Sequence, residues 1–178
     1  MTDTPIAISP ACSHLAEMDE ITFSLSTQKD TQSLGVALGA VLSRGDIVLL
    51  KGSLGAGKTS LARALIQAEC GLVDVPSPTF TLVETYQGQR YPIWHFDFYR
   101  LNAPEEVWEI GFEDAIDDGI CLIEWPQKAG NLIPDGALTI ELEIAGESRR
   151  ATLSGGPHWQ ERAVMLKDRF ENRHKQKP

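Results

Sequence analysis

Residues Gly52-Ser53-Leu54-Gly55-Ala56-Gly57-Lys58-Thr59 follow the pattern GxxxxGK[ST] in full. Glycine lets a backbone fold around an anion with its N–H groups turned inward, in dihedrals that residues with a Cβ resist. Such a loop ends at a helix N-terminus, where unpaired N–H groups and the helix dipole favour negative charge. Lys58 then offers a mobile ammonium to β and γ phosphates, the Thr59 hydroxyl offers an oxygen to Mg²⁺, and Ser60 opens the helix beside them. The chemistry implied is the binding of a nucleoside triphosphate.

Mg²⁺ at such a loop also calls for a carboxylate, commonly where a neighbouring buried strand ends. Glu124 follows Ile120-Cys121-Leu122-Ile123, and Asp97 follows Ile93-Trp94-His95-Phe96. Both are candidates for the metal and for catalysis; the plainer alternative is a cap or an ion pair at a strand end. His95 is either a general base or a satisfied core residue. Thr79 and Thr81 lie in Ser77-Pro78-Thr79-Phe80-Thr81, either a segment that senses a γ phosphate as switch loops do, or an ordinary strand start after Pro78.

These residues need strands and helices to hold them. Ile21–Leu25 alternates as a half-buried strand does, and Leu34, Leu38, Val41 and Leu42 recur at helical spacing up to the turn Arg44-Gly45-Asp46. Ile47–Leu50 and Ile120–Ile123 are short apolar runs suited to strands buried on both faces. Ser60–Glu69 is the helix after the loop. Phe80–Tyr86 and Arg90–Phe96 form a predicted hairpin around Gln87-Gly88-Gln89. Asn102–Glu106 starts a helix that Gly111 stops; Leu138–Ile144 and Arg150–Ser154 pair across Ala145-Gly146-Glu147; Trp159–Asn172 closes the chain as a helix. The expected fold is α/β, a three-layer P-loop NTPase with a mixed β-sheet flanked by helices. Residues 1–20 read as a loose extension, 21–173 as one domain, and 174–178 as a basic tail.

Composition narrows the setting. The chain has 178 residues and a net charge of −9, which disfavours unaided binding to a nucleic-acid backbone. Acid concentrates from Glu105 to Glu124, and base at Arg162, Lys167, Arg169, Arg173, Lys175 and Lys177. Each run is either solvated surface or a face that docks on a partner. Val107, Trp108 and Ile110 among Glu105, Glu106 and Glu109 are likewise either core or an apolar patch with an acidic rim. Cys12, Cys70 and Cys121 are scattered and odd in number, as in a reducing compartment. No apolar run reaches the roughly 18 residues of a membrane span. No secretory leader is legible at the start, so the expected location is cytoplasmic.

Several P-loop classes lack their marks here: there is no NKxD for guanine, no DxxG after a strand and no compact Arg-rich lid. The P-loop, then Ser77-Pro78-Thr79-Phe80-Thr81-Leu82-Val83, His95-Phe96-Asp97-Phe98-Tyr99-Arg100-Leu101 and Leu122-Ile123-Glu124-Trp125-Pro126 together resemble the TsaE (YjeE) family. The four ordered motifs cover the core from about residue 22 to 154. The resemblance implies an ATPase, with ATP and Mg²⁺, that serves TsaD and TsaB in threonylcarbamoylation of adenosine 37 of tRNAs reading ANN codons. It implies that tRNA is met indirectly, through the complex, and that partners raise a weak intrinsic activity. By motif position, Lys58 holds phosphates, Thr59 and Glu124 bind Mg²⁺, and Asp97 acts on the metal or its water. Thr79 and Thr81 form the switch-like segment, and Trp125 lies close to the site or else in the core.

Overall fold

The computed structural model describes residues 18–175, and one seven-stranded sheet organises them in the order β1-β7-β6-β2-β5-β4-β3. The strands are β1 (Ile21–Leu25), β2 (Ile47–Gly52), β3 (Val83–Gln87), β4 (Pro92–Asp97), β5 (Ile120–Glu124), β6 (Leu138–Ala145) and β7 (Ser148–Ser154). The centre, β6-β2-β5-β4, is parallel, while β1, β7 and β3 join antiparallel at the edges. The mixed sheet therefore matches the sequence expectation. β2 and β5 begin as apolar runs because both faces are covered there, whereas β6 alternates and leaves Glu141 and Glu143 exposed. β5 is buried at every position.

Helices α1 (Gln28–Gly39), α2 (Lys58–Cys70) and α5 (Gln160–Lys175) cover one face. The other face carries α3 (Glu106–Glu109), α4 (Phe112–Asp118) and the segment 126–137. This gives the three layers of a P-loop NTPase fold. A cluster of Phe96, Phe98 and Phe112, with ring centroids 5.5–5.9 Å apart, fills the second layer.

Several boundaries differ from the sequence reading. α1 begins at Gln28, ahead of Leu34, because Thr27 and Asp30 form a capping box across the first turn. Gly111 does end α3, in the left-handed region at φ 79°, yet α4 starts on its far side. β3 begins at Val83, three residues after Phe80. Pro78–Thr81 is instead a turn, closed by Leu82 N–H donating to the Pro78 carbonyl at 2.7 Å. Of the predicted N-terminal extension, residues 1–17 lie outside the described residues, whereas Met18 is buried and donates its N–H to the Gly155 carbonyl. Of the predicted basic tail, Lys175 ends α5 and 176–178 lie outside the described residues. Among the C-terminal bases, Arg162 is structural: it caps the Val41 carbonyl and pairs with Asp46. Val107 is core, Ile110 packs against the core, and Trp108 keeps 45% of its surface exposed. Among the described residues no helix is long and apolar enough to cross a membrane.

The two helices that frame the phosphate loop meet closely. A Cβ on Gly35 of α1 would lie 2.3 Å from the Leu61 carbonyl oxygen of α2. Only backbone shift relieves such a contact, so Gly35→Ala should cost about 1–3 kcal/mol as overpacking. A fall in urea midpoint at unchanged slope would report it; an unchanged midpoint would show that the helices have slack.

Candidate active site

β2 runs parallel between β5 and β6, so its C-terminal end opens at the same edge of the sheet as that of β5. Gly52 ends β2 at φ 135°, where an added Cβ would meet the Leu142 carbonyl oxygen at 2.3 Å. Gly55 and Gly57 also sit at positive φ, 78° and 110°, and Gly57 caps α2 without a side chain. The loop thus has the glycine-dependent curvature of an anion cradle, set on the positive end of a thirteen-residue helix.

Lys58 folds back over this loop. Its Nζ donates to the Gly52 and Ser53 carbonyls, both at 2.9 Å, and lies 4.1 Å above the centre of the Trp125 ring. Burial draws the ammonium below the usual lysine range, while the Glu124 and Asp97 carboxylates hold it up. Trp125 reaches this position through a left-handed backbone, φ 57° and ψ 48°. That conformation costs a bulky residue about 1–3 kcal/mol, and such strain concentrates at functional sites. Of the two readings of Trp125, the structure favours the cleft wall: it is half-buried and packs against Tyr99, ring centroids 5.0 Å apart.

The two acids stand side by side, because Asp97 of β4 and Glu124 of β5 are register partners. Each is held through both oxygens. Glu124 Oε2 accepts from the Thr59 hydroxyl at 2.9 Å, and its Oε1 from His95 Nε2 at 3.0 Å. Asp97 Oδ2 accepts from the Thr79 hydroxyl at 3.2 Å, and Oδ1 from the Tyr99 N–H at 3.0 Å. Ser77 completes the chain with a hydroxyl contact to Thr79 at 2.8 Å.

Leu54, Gly55, Gly57, Lys58, Thr59, Ser60, Thr79, Asp97, Tyr99, Glu124 and Trp125 line one cleft of about 300 Å³. Of the remaining sequence candidates, Gly52 and Ser53 bind Lys58 through their carbonyls, and Ala56 is buried beneath the loop. Thr81 is the one that stays apart: it is exposed in the turn before β3 and does not line the cleft. The turn at Pro78 aims alternate hydroxyls differently, so Thr79 meets Asp97 while Thr81 faces outward. His95 is fully buried, which argues against a base open to substrate, and its Nδ1 has no hydrogen-bond partner among the described residues, so it is not a fully satisfied core residue either.

Sequence reasoning missed Arg149, which reaches across from β7 to the Gly55 carbonyl at 3.4 Å. It helps line a second cleft of about 390 Å³ on the other side of the loop, with Gln28, Thr31, Ser60 and Glu147. Ninety-four positions separate Arg149 from Gly55, and no local pattern announces such a contact.

The donor set suits a hard cation. Thr59, Glu124 and Asp97 present only oxygens, as Mg²⁺ prefers. Among the described residues no three His, Cys, Asp or Glu side chains form a metal cage. An ion held by one or two protein oxygens and completed by phosphates needs none.

The model of the family described as "Threonylcarbamoyl adenosine biosynthesis protein TsaE" matches residues 25–152, a span that holds both clefts. The chain belongs to the TsaE family. The tRNA threonylcarbamoyladenosine biosynthesis protein TsaE of Rickettsia felis is 40% identical over 127 residues, 71% of this chain and 74% of its own. The protein of the same name from Treponema pallidum is 34% identical over 123 residues, 68% of this chain and 90% of its own. The crystal structure of YdiB from Bacillus subtilis covers 88% of this chain and 97% of its own, with a TM-score of 0.68 at 24% identity. That likeness concerns the fold.

Proposed function

We propose that this chain binds and hydrolyses ATP for the threonylcarbamoylation of adenosine 37 in tRNAs reading ANN codons, acting with TsaD and TsaB to permit repeated turnover. The observation that carries the reading is the convergence, in one cleft, of the glycine cradle, Lys58, the Thr59–Glu124 bond and the Thr79–Asp97 bond. Membership of the TsaE family, whose relatives are named for threonylcarbamoyladenosine biosynthesis, supports the pathway.

In this reading the loop N–H groups and the start of α2 hold the phosphates, and Lys58 exchanges its loop carbonyls for β and γ oxygens. Thr59 and Glu124 hold Mg²⁺, which when bound neutralises phosphate charge. Asp97 would act on the metal or its water, and Thr79, bonded to Asp97, links that carboxylate to the segment before β3. Hydrolysis of this kind needs positioning and charge neutralisation more than a strong base.

The rim of the cleft supports a role for protein partners. Leu54 is 84% exposed and Tyr99 55%, both lining the cleft, and Phe80, next to Thr79 in the chain, is 79% exposed. A soluble protein seldom leaves such a group bare unless something covers it. Arg100 stacks on the Phe80 ring at 4.6 Å. A net charge of −9 leaves tRNA contacts to the partners, in the cytoplasm.

ATP hydrolysis measured with and without TsaD and TsaB, with tRNA modification followed in parallel, tests the proposal. Slow turnover alone and a clear rise with both partners, tracking modification, is the expected result. A rate indifferent to the partners, or a phosphorylated small molecule as product, would overturn it.

A further inference from the structure

The imidazole of His95 is 0% exposed and sits in the middle of β4, flanked by Trp94 and Phe96. Strand alternation places Ile93, His95 and Asp97 on one face, the face that packs toward α2, and Trp94 and Phe96 on the other. His95 therefore lies one pleat below Asp97, with Leu122 and Glu124 of β5 alongside. Its Nε2 is 3.0 Å from Glu124 Oε1, an acceptor, so the ring proton on that side belongs to Nε2. Its Nδ1 is buried and meets no hydrogen-bond partner among the described residues.

That arrangement is unusual for a histidine kept for packing alone. A phenylalanine would fill the same space without an orphaned nitrogen, which costs about 1–3 kcal/mol when buried. The single bond that the ring does make goes to the carboxylate whose other oxygen meets Thr59. Glu124 is itself 2% exposed, and its side chain would otherwise be free to rotate about its last torsion. With Oε1 fixed from below, Oε2 has one direction left, toward Thr59 and the mouth of the cleft.

We propose that His95 is a positioning residue: its Nε2–H locks the Glu124 carboxylate so that Oε2 and the Thr59 hydroxyl face a cation together. This rests on the Mg²⁺-nucleotide reading of the cleft. His95 touches neither nucleotide nor metal; it acts through Glu124 alone. Outer partners of metal-binding carboxylates are typically worth about 10–100-fold in metal affinity.

The test is calorimetric titration of ATP into the whole protein, in Mg²⁺ and in EDTA. The wild type should bind ATP more tightly with Mg²⁺. His95→Phe should lose about 10–100-fold of that Mg²⁺-dependent gain. Its affinity in EDTA should match the wild type, because the cradle and Lys58 are untouched. His95→Gln, whose side-chain amide reaches the place of Nε2, should recover most of the gain. Should the phenylalanine variant not fold, His95→Asn takes its place, since its shorter amide stays polar but stops short of Oε1. On a Glu124→Ala background, His95→Phe should change the Mg²⁺-dependent gain no further, because the group it acts through is gone.

A full Mg²⁺ gain in a folded His95→Phe or His95→Asn variant would overturn the proposal. So would an equal loss of affinity in EDTA, the mark of a merely structural residue, or a failure of glutamine to rescue. A wild-type protein that binds no ATP in either medium would instead overturn the nucleotide reading, and the positioning role with it.

Discussion

Lys58→Ala should abolish measurable ATP turnover and weaken triphosphate binding, while the protein stays folded. Among the described residues the cleft lining offers no second cation to take over. Arg149 meets Gly55 from the other side of the loop, and Arg100 is stacked on Phe80 outside the cleft lining. A charge-assisted lysine bond to phosphate is worth about 1.5–3 kcal/mol, so losing even one lowers affinity by roughly one to two orders of magnitude. Loss of a preorganised charge at the reacting phosphoryl costs about 10²–10³ in rate on top of that.

The folded state tolerates the change for a specific reason. Lys58 Nζ bonds the carbonyls of Gly52, which is half-buried, and Ser53, which is exposed, so water can replace it there. Its removal also leaves Asp97 and Glu124 without a neighbouring cation, but Thr79, Tyr99, Thr59 and His95 still donate to them. Thermal denaturation should therefore move little, while ATP-induced stabilisation vanishes. Wild-type turnover in this variant would show that the loop is not the phosphate site.

How much of this was legible beforehand depended on whether a feature is local. The loop is contiguous, and its glycines announce their dihedrals, so Gly52–Thr59 could be read directly. Asp97 and Glu124 were legible because each ends an apolar run. Their adjacency follows only once β4 and β5 pair in register. Thr79 and Thr81 could not be separated, since a turn closed by Leu82 N–H on the Pro78 carbonyl decides which hydroxyl looks inward. Trp125 stayed ambiguous for a related reason: its left-handed φ of 57° swings the indole over Lys58, and no residue type advertises that choice. α4 was hidden by Gly111, whose positive φ marks the end of one helix and equally the entry to another. The bond between His95 and Glu124 spans 29 positions and exists only in the assembled sheet.

Glu124→Gln should separate metal chemistry from folding more sharply than alanine does, because it keeps the volume and much of the bonding of a buried side chain. The carboxylate accepts two hydrogen bonds, from Thr59 and from His95. A glutamine oxygen can serve only one of them. Turned toward His95 Nε2–H, it presents its NH₂ to Thr59 Oγ1, which then accepts and no longer offers that lone pair to a cation. The variant thus loses one anionic ligand and disables a second oxygen, with hardly a change in shape. Mg²⁺-dependent hydrolysis should fall by about 10²–10³-fold, as for removal of a preorganised charge at a reacting centre. ATP binding in EDTA should stay near the wild-type value, since the cradle and Lys58 remain. Stability should change by only about 1 kcal/mol, because a satisfied amide replaces a satisfied carboxylate and Asp97 still faces Lys58. Alanine, by contrast, leaves His95 Nε2–H buried without an acceptor, and its larger loss of stability would report that orphan as well as the metal. A glutamine variant that denatures many degrees lower, yet hydrolyses ATP normally per folded molecule, would make Glu124 a structural acid and leave Asp97 as the carboxylate that serves Mg²⁺.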